Sequence, residues 1–344
     1  MEKDTKGGFK CFGEYLSRVR QACVDGIQDS RLKTAGHMAV ADDAQGGFLC
    51  PEEWADGIFS IVLEKGIVRS RAKVLPMSSD SLKIRRLVES SRASTYFGGI
   101  SFSWAKEAQD KSLTASTPTV GELELTAHKL IGSTFVSNEL MADYSTFGTF
   151  MRLAFGEALA FEEDYHFIWG NGVGQPLGIM GAPATIQHAR TTNAGTPVIG
   201  DLAEMAERLL PGSWPSAVWM MNPNVIGGLS QDATTGSNVG GILDLSGMEC
   251  MGRPIILTEK CAGAGAAGDV ILADWNHYVI GHRSLEISAS RDVQDARGSD
   301  GFITDETFWR VVLRVAGQPV MDAPVTPKLG TDTLSAFVVL TTVS

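Results

Sequence analysis

Between Met77 and Thr119 the chain has almost nothing with which to build a core. The stretch is rich in Ser, Thr and charge, and its aromatics, Tyr96, Phe97, Phe102 and Trp104, stand apart from one another. A connection this long with so little to bury is uncommon inside a compact domain. Its flanks, around Leu82–Val88 and Val120–Ser137, read as strands, so the stretch is predicted to be a long projecting hairpin. A lone two-stranded hairpin is at best marginally stable in water. It therefore needs a surface outside its own domain to lie on.

The remaining segments supply ordinary elements. Phe12, Leu16, Val19, Cys23 and Ile27 recur every three or four residues, as on one helix face, and the polar stretch from Gln28 to Gln45 reads as an extended arm. Gly46-Gly47-Phe48-Leu49-Cys50-Pro51 opens the folded body, followed by a short helix carrying Trp54, Ile58, Ile61, Val62 and Leu63. Val74-Leu75-Pro76 then leads into an alternating strand at Leu82-Lys83-Ile84-Arg85. The longest helical pattern runs from Ser145 to Trp169 through Phe147, Met151, Ala154, Ala158, Phe161, Tyr165 and Ile168, with Ser145 as cap and Asn171-Gly172 as stop. At ~1.5 Å per residue this is a rod of roughly 37 Å, a length that suits a spine. Beyond Gly200, Asp201–Met205 starts a helix that has Leu209 and Leu210 on the same face. Strands are expected at Ala217–Met220, Ile255–Leu257 and Val270–Leu272. Phe308–Val315 and Ala336–Leu340 are expected to be strands that return to the first domain.

Composition narrows the function classes. The 344 residues suggest about two domains, and 44% hydrophobic with 20% charged residues is enough for a buried core. The net charge of −11 is the wrong sign for a protein that grips phosphates, since such binding is driven by counterion release at a basic face. Cys11, Cys23, Cys50, Cys250 and Cys261 include no Cys-x-x-Cys pair, so neither a zinc ribbon nor a redox motif is indicated, and reduced cytoplasmic thiols are expected. Met1-Glu2-Lys3-Asp4 lacks a signal-peptide pattern, and no apolar run approaches the roughly 18 residues that span a bilayer. The expectation is a soluble protein made in the cytoplasm.

Each motif with a catalytic look has a simpler reading. Gly263-Ala-Gly265-Ala-Ala-Gly268 matches a dinucleotide fingerprint but precedes a strand where a helix is required, and reads as a turn. Gly170-Asn-Gly172-Val-Gly174-Gln-Pro176 ends a helix and lacks the Gly-Lys-Ser/Thr of a phosphate loop. Glu163-Asp-Tyr-His166 has di-iron spacing, yet such sites need a second copy of the motif, so a solvated or interface face is expected. Asp274-Trp-Asn-His277 reads as a strand-end turn. Neither Gly-x-Ser-x-Gly nor His-Glu-x-x-His occurs. No enzyme, cofactor or metal is called for.

The ordered landmarks resemble one family. Gly46-Gly47-Phe48-Leu49-Cys50-Pro51-Glu52-Glu53 followed by Val74-Leu75-Pro76-Met77 is similar to the start of the peripheral domain in Hong Kong 97-type phage major capsid proteins. Glu163-Asp164 running into Gly170-Asn-Gly-Val-Gly-Gln-Pro-Leu-Gly178-Ile179 resembles the end of that family's spine helix and its glycine-rich loop. Trp219-Met-Met-Asn-Pro223, Gly252-Arg-Pro-Ile-Ile256, Asp274-Trp-Asn-His-Tyr278 and Phe308-Trp-Arg-Val-Val312 complete the order, from about Gly46 to Leu340.

The resemblance implies an α+β chain with the Hong Kong 97-like capsid fold. Residues 1–45 would be an N-terminal helix and arm. Residues 46–76, 120–199 and 306–344 would form a peripheral domain with spine helix 145–169, residues 77–119 the extended loop, and residues 200–305 an axial domain. It implies a shell subunit forming pentamers and hexamers around double-stranded DNA, with an encapsulin-type nanocompartment shell as the alternative. A hydrophobic groove for a cargo peptide would mark that alternative. Assembly contacts would fall on the extended loop, at Arg85, Arg92, Tyr96, Phe102, Trp104, Lys106, Glu107 and Lys111, which would lie across a neighbouring copy. The spine and glycine loop would contribute Glu163, Asp164, Gly172, Gly174 and Pro176. The axial tip loops, Asp232–Asp244 and Arg291–Asp305, would contribute Asp232, Asn238, Asp244, Arg291, Asp295 and Arg297. Expected partners are the chain itself, a separate scaffolding protein (the stretch before Gly46 being short for a built-in scaffold), a portal, decoration proteins and enclosed DNA, with no membrane. The implied place is the virion, after assembly in the host cytoplasm. Some members join Lys to Asn between subunits. Lys106 and Lys111 are candidate amines, but no Asn follows Asn276, so no such bond is expected.

Overall fold

The computed structural model describes residues 8–24, 26–27, 29–32, 48–49, 54, 56–58, 61–62, 66–93, 96, 98–102, 117–142, 144–191, 195–235, 243–244, 247–290 and 305–342. Its helices are α1 (Phe12–Val24), α2 (Asn138–Ala142), α3 (Tyr144–Trp169), α4 (Ile199–Glu207) and α5 (Pro223–Thr235). Its strands are β1 (Phe48–Leu49), β2 (Lys73–Pro76), β3 (Ser81–Leu87), β4 (Val120–Thr126), β5 (His128–Ser137), β6 (Ile186–Ala189) and β7 (Val218–Met221), then β8 (Leu243–Asp244), β9 (Glu249–Cys250), β10 (Arg253–Leu257), β11 (Val270–Ala273), β12 (Tyr278–Ser290), β13 (Glu306–Pro319) and β14 (Phe337–Thr341).

The two longest strands, β12 and β13, pair antiparallel at the centre of a five-stranded sheet of order β1-β12-β13-β5, with β2 parallel to the start of β12. Alternate side chains face opposite sides of a strand. One side therefore collects Ile280, Leu285, Ile287, Trp309, Val311, Leu313 and Val315 into the core beneath α1 and α3. Helix α1 buries Phe12, Tyr15, Leu16 and Val19, and the rings of Phe12 and Tyr15 lie 5.6 and 5.3 Å from that of Trp54. The backbones of α1 and α3 cross so closely that a Cβ on Gly148 would sit 2.6 Å from the amide nitrogen of Gly13.

The second sheet has seven strands in the order β6-β14-β11-β7-β10-β9-β8. Strands β7 and β11 are buried throughout, because helices cover both faces. Leu202 and Met205 of α4 and Val225 and Leu229 of α5 pack on Trp219, Met221, Val270 and Leu272. On the other face Met220, Ile271 and Val339 join the core that contains Phe167 and Ile168 of α3. The spine thus lies between the sheets and belongs to both.

Several expectations are corrected. Strand β14 pairs with β11 and β6 in the second sheet and does not return to the first, while β12, expected within the 200–305 unit, lies in the five-stranded sheet. An apolar run announces a strand without naming its neighbours. Helix α3 buries Phe147, Met151, Phe155, Leu159, Phe167 and Ile168, but leaves Phe161 and Tyr165 of the expected stripe exposed, along with Phe150 and Leu153. This helix is apolar on more than one side, so its period fits two stripes and packing chooses between them. The arm is not extended where it begins. Arg31 forks Asp29 and donates to the Gly8 carbonyl oxygen at 2.8 Å, which folds residues 29–32 back onto the start of α1. Residues 33–45 lie outside the described residues.

Burial pushes the thiols of Cys250 and Cys261 up to about 12, whereas Cys11 is exposed. Since the thiolate is the reacting form, native alkylation read by mass spectrometry is expected at Cys11 and not at Cys250 or Cys261 until the chain is unfolded. Equal labelling of Cys261 and Cys11 would contradict this core.

Candidate assembly interface

The predicted hairpin forms, with β3 and β4 antiparallel from Ser81↔Thr126 to Leu87↔Val120. Its two faces differ because its residues alternate. Leu82, Ile84 and Leu125 turn with Met77 onto Val279 and Ala316 of the first sheet. The opposite face carries Lys83, Arg85, Glu122 and Glu124, and Lys83 pairs with Glu122 at 2.6 Å. The hairpin base is therefore seated on its own chain, a correction to a stretch expected to find its whole support elsewhere. The outward face is not charged throughout. The cross-strand pair Leu87 and Val120 is 51% and 59% exposed, and Phe102 is 83% exposed.

Among the loop residues singled out by sequence, Arg85 sits on the charged outer face opposite Glu122. Arg92 forks Glu89 at 2.8 and 2.9 Å, and its backbone N–H donates to the Thr326 carbonyl oxygen at 2.8 Å. Tyr96 Oη accepts from Lys328 Nζ at 2.6 Å. Arg92 and Tyr96 are thus spent on intramolecular contacts. Trp104, Lys106, Glu107 and Lys111 lie outside the described residues.

The spine residues are corrected outright. Glu163 and Asp164 are not a solvated or interface face; they are buried. Glu163 accepts a fork from Arg69 at 2.6 and 2.8 Å, with the two side chains 1% and 3% exposed. Burial raises the Glu163 carboxyl above its ordinary range, and Arg69 pulls it back down. Asp164 accepts the backbone N–H groups of Ile67 and Val68 at 2.8 and 3.0 Å and the Lys260 ammonium at 2.8 Å. Trp169 Nε1 donates to the Lys260 carbonyl oxygen at 2.7 Å. Two adjacent acids on α3 thereby bind the spine to the turn before β2 and to the segment after β10.

The glycine loop that stops α3 is a built turn. Gly172 and Gly174 have φ of +78° and +70°, values that a side chain disfavours, and Val173 between them is 80% exposed. Asn171 Oδ1 accepts from the Val173 N–H and from Gln175 Nε2, both at 2.9 Å, while Pro176 is buried. Sequence reading placed Gly170 and Gly178 in the motif without singling them out, yet their backbones interlock: Gly178 N–H donates to the Gly170 carbonyl oxygen at 2.8 Å. Their spacing within the motif was the available signal.

Of the axial candidates, Asp232 lies in α5, and its side chain is outside the described ones. Asp244 is exposed in β8 and accepts the Gly247 N–H at 3.1 Å. Asn238, Arg291, Asp295 and Arg297 lie outside the described residues. The described strands on either side of residues 291–304, β12 and β13, pair as far as Ser290↔Phe308 in the five-stranded sheet. Among the described residues, no cluster of His, Cys, Asp and Glu suits a metal ion, and no helix is long and apolar enough to cross a membrane.

Comparison with solved structures places this architecture. The capsid of an empty GTA particle superposes with a TM-score of 0.58 at 17% identity, covering 81% of this chain and 90% of that one. Mycobacterium phage Adephagia gives 0.55 at 15% identity, covering 94% and 97%. Microbacterium phage Oxtober96 gives 0.53 at 14%, covering 90% and 96%. At these identities the likeness is one of fold, the Hong Kong 97-like capsid fold. No curated protein matches the chain by sequence. The model of the phage capsid family matches residues 46–327, from the glycine pair that opens the body to the segment bonded beside the hairpin, and the chain belongs to that family.

Proposed function

We infer that the protein is the major subunit of an icosahedral shell, built as pentamers and hexamers of this one chain around double-stranded DNA. The observation that carries this reading is the outward face of the hairpin, where Leu87 and Val120, with Phe102 in the loop beyond, stand exposed among the described residues. A head-to-tail contact repeats around a ring when the rotation closes. A hairpin held to its own chain by one face, with apolar side chains exposed on the other, is suited to such a contact. Obligate interfaces bury upward of about 2,000 Å², and a projecting hairpin extends the area within reach. The net charge of −11 suits DNA that is enclosed and not gripped, through like-charge repulsion. A separate scaffolding protein, a portal and decoration proteins are the partners this role calls for, with assembly in the host cytoplasm.

Electron microscopy of the expressed chain tests the proposal: closed shells are expected, and a stable monomer at all concentrations would overturn it. The same preparation tests the absence of a covalent bond between subunits. Heated in denaturant, the shells are expected to run as single 36.8 kDa chains, whereas a ladder of linked chains would reveal a cross-link.

A further inference from the structure

Residues 320–335, between β13 and β14, run from the first sheet past the hairpin to the end of α4, the helix that packs on the second sheet. The segment leaves the first sheet as the Val320 N–H donates to the His277 carbonyl oxygen at 2.7 Å. It then meets the hairpin three times. Asp322 pairs with Arg86 of β3, whose side chain is largely buried. Thr326 donates its N–H to the Ser90 carbonyl oxygen at 3.0 Å and accepts that of Arg92. Lys328 donates to Tyr96 and lies over its ring at 5.3 Å. Val325 and Leu334 exchange backbone hydrogen bonds of 2.7 and 2.8 Å that close the segment into a loop. Its far end is tied to the C-terminus of α4. Arg208 donates to the Thr333 carbonyl oxygen at 2.9 Å and to Thr333 Oγ1 at 3.1 Å, and its own carbonyl oxygen accepts the Ser335 N–H. Two residues later the chain enters β14, in the interior of the second sheet.

We propose that residues 320–335 act as a strap that couples the direction of the hairpin to the second sheet. The hairpin's seat on the first sheet is small, with Met77, Leu125, Val279 and Ala316 as its fully buried members. A polar three-point attachment is therefore a large part of what aims the hairpin. Beside the attachment lies a groove of about 220 Å³ lined by Arg86, Arg92, Leu210, His277, Met321 and Val325. Protein interiors are close-packed, so this groove is where the strap has room to shift against the body. In a shell that places one sequence in both five-membered and six-membered rings, the hairpin would then re-aim with its own second sheet and not swing freely. That consequence rests on the shell reading, while the coupling itself is a property of the single chain.

Hydrogen exchange read by mass spectrometry on the full-length chain, kept dilute and unassembled, tests the coupling. Arg208→Ala breaks the strap's far end without touching the hairpin. The expected result is exchange about fivefold or more faster at the Arg92 amide and along β3 and β4, with the five-stranded core unchanged. Faster exchange confined to residues 332–335, with the hairpin as in the wild type, would overturn the proposal. If Arg208→Ala loosens both sheets, Asp322→Asn decides: selective loosening of the hairpin supports the strap, and an unchanged hairpin refutes it. Shell formation is scored separately by electron microscopy, so a wild-type chain that never forms shells would count against the shell reading and leave the exchange result standing.

Discussion

Replacing Glu163 by alanine is expected to lower the unfolding free energy of the unassembled subunit by about 3–5 kcal/mol, the range for breaking a buried ion pair. Arg69 and Glu163 are almost wholly out of water and meet through a two-point fork. Truncating the acid leaves a guanidinium that cannot lose its proton and has no solvent to turn to. The same argument predicts that a paired replacement, Arg69→Met with Glu163→Leu, recovers most of the loss, because it removes both charges and restores apolar packing. Denaturant titration of the wild type and the single and double variants measures the cycle. A loss below about 1 kcal/mol for Glu163→Ala, as at an exposed pair, would show that this junction does not hold the spine.

Gly170→Ala is expected to cost about 3 kcal/mol or more, and Gly174→Ala about 1–2 kcal/mol. The two glycines are needed for different reasons. At Gly174 space is open, but φ is +70°, so a side chain meets only backbone strain. At Gly170 an added Cβ would lie 2.1 Å from the Pro176 carbonyl oxygen and 2.5 Å from that of His166. Those are backbone atoms that cannot step aside alone. The Leu177 N–H donates to the Gly317 carbonyl oxygen at 2.8 Å, and Tyr278 Oη donates to that of Leu177 at 2.8 Å, so the loop is stitched to the first sheet. Moving Pro176 would therefore disturb β12 and β13. Urea denaturation of the two variants side by side is the measurement. Equal losses, or a milder effect at Gly170, would mean that the interlocked turn relaxes without consequence.

The hairpin was legible because alternation over Leu82–Arg85 and the barren stretch behind it are local facts. Its seat was not, since Val279 and Ala316 lie far along the chain and carry no mark of what they face. The glycine loop was legible as a turn from its composition. Which of its glycines are most constrained depends on the approach of Pro176 to Gly170, which appears only once the turn is closed. Glu163-Asp164 misled because acids on a helix ordinarily face water. Their cations, Arg69 and Lys260, are 94 and 96 residues away, and no periodic pattern links them.

By itself the amino-acid order determined where the hairpin, the spine helix and strands β7, β10, β11, β13 and β14 lie, and the family to which their succession is similar, because backbone geometry repeats every two or 3.6 residues and leaves its period in the chain; β6, β12 and α5 were not among the expected elements. Only the tertiary structure decided that β12 joins the first sheet and β14 the second, which stripe of the spine is buried, and which charges are sealed inside. Those choices rest on contacts between segments remote in sequence, where burial of one residue is set by the arrival of another.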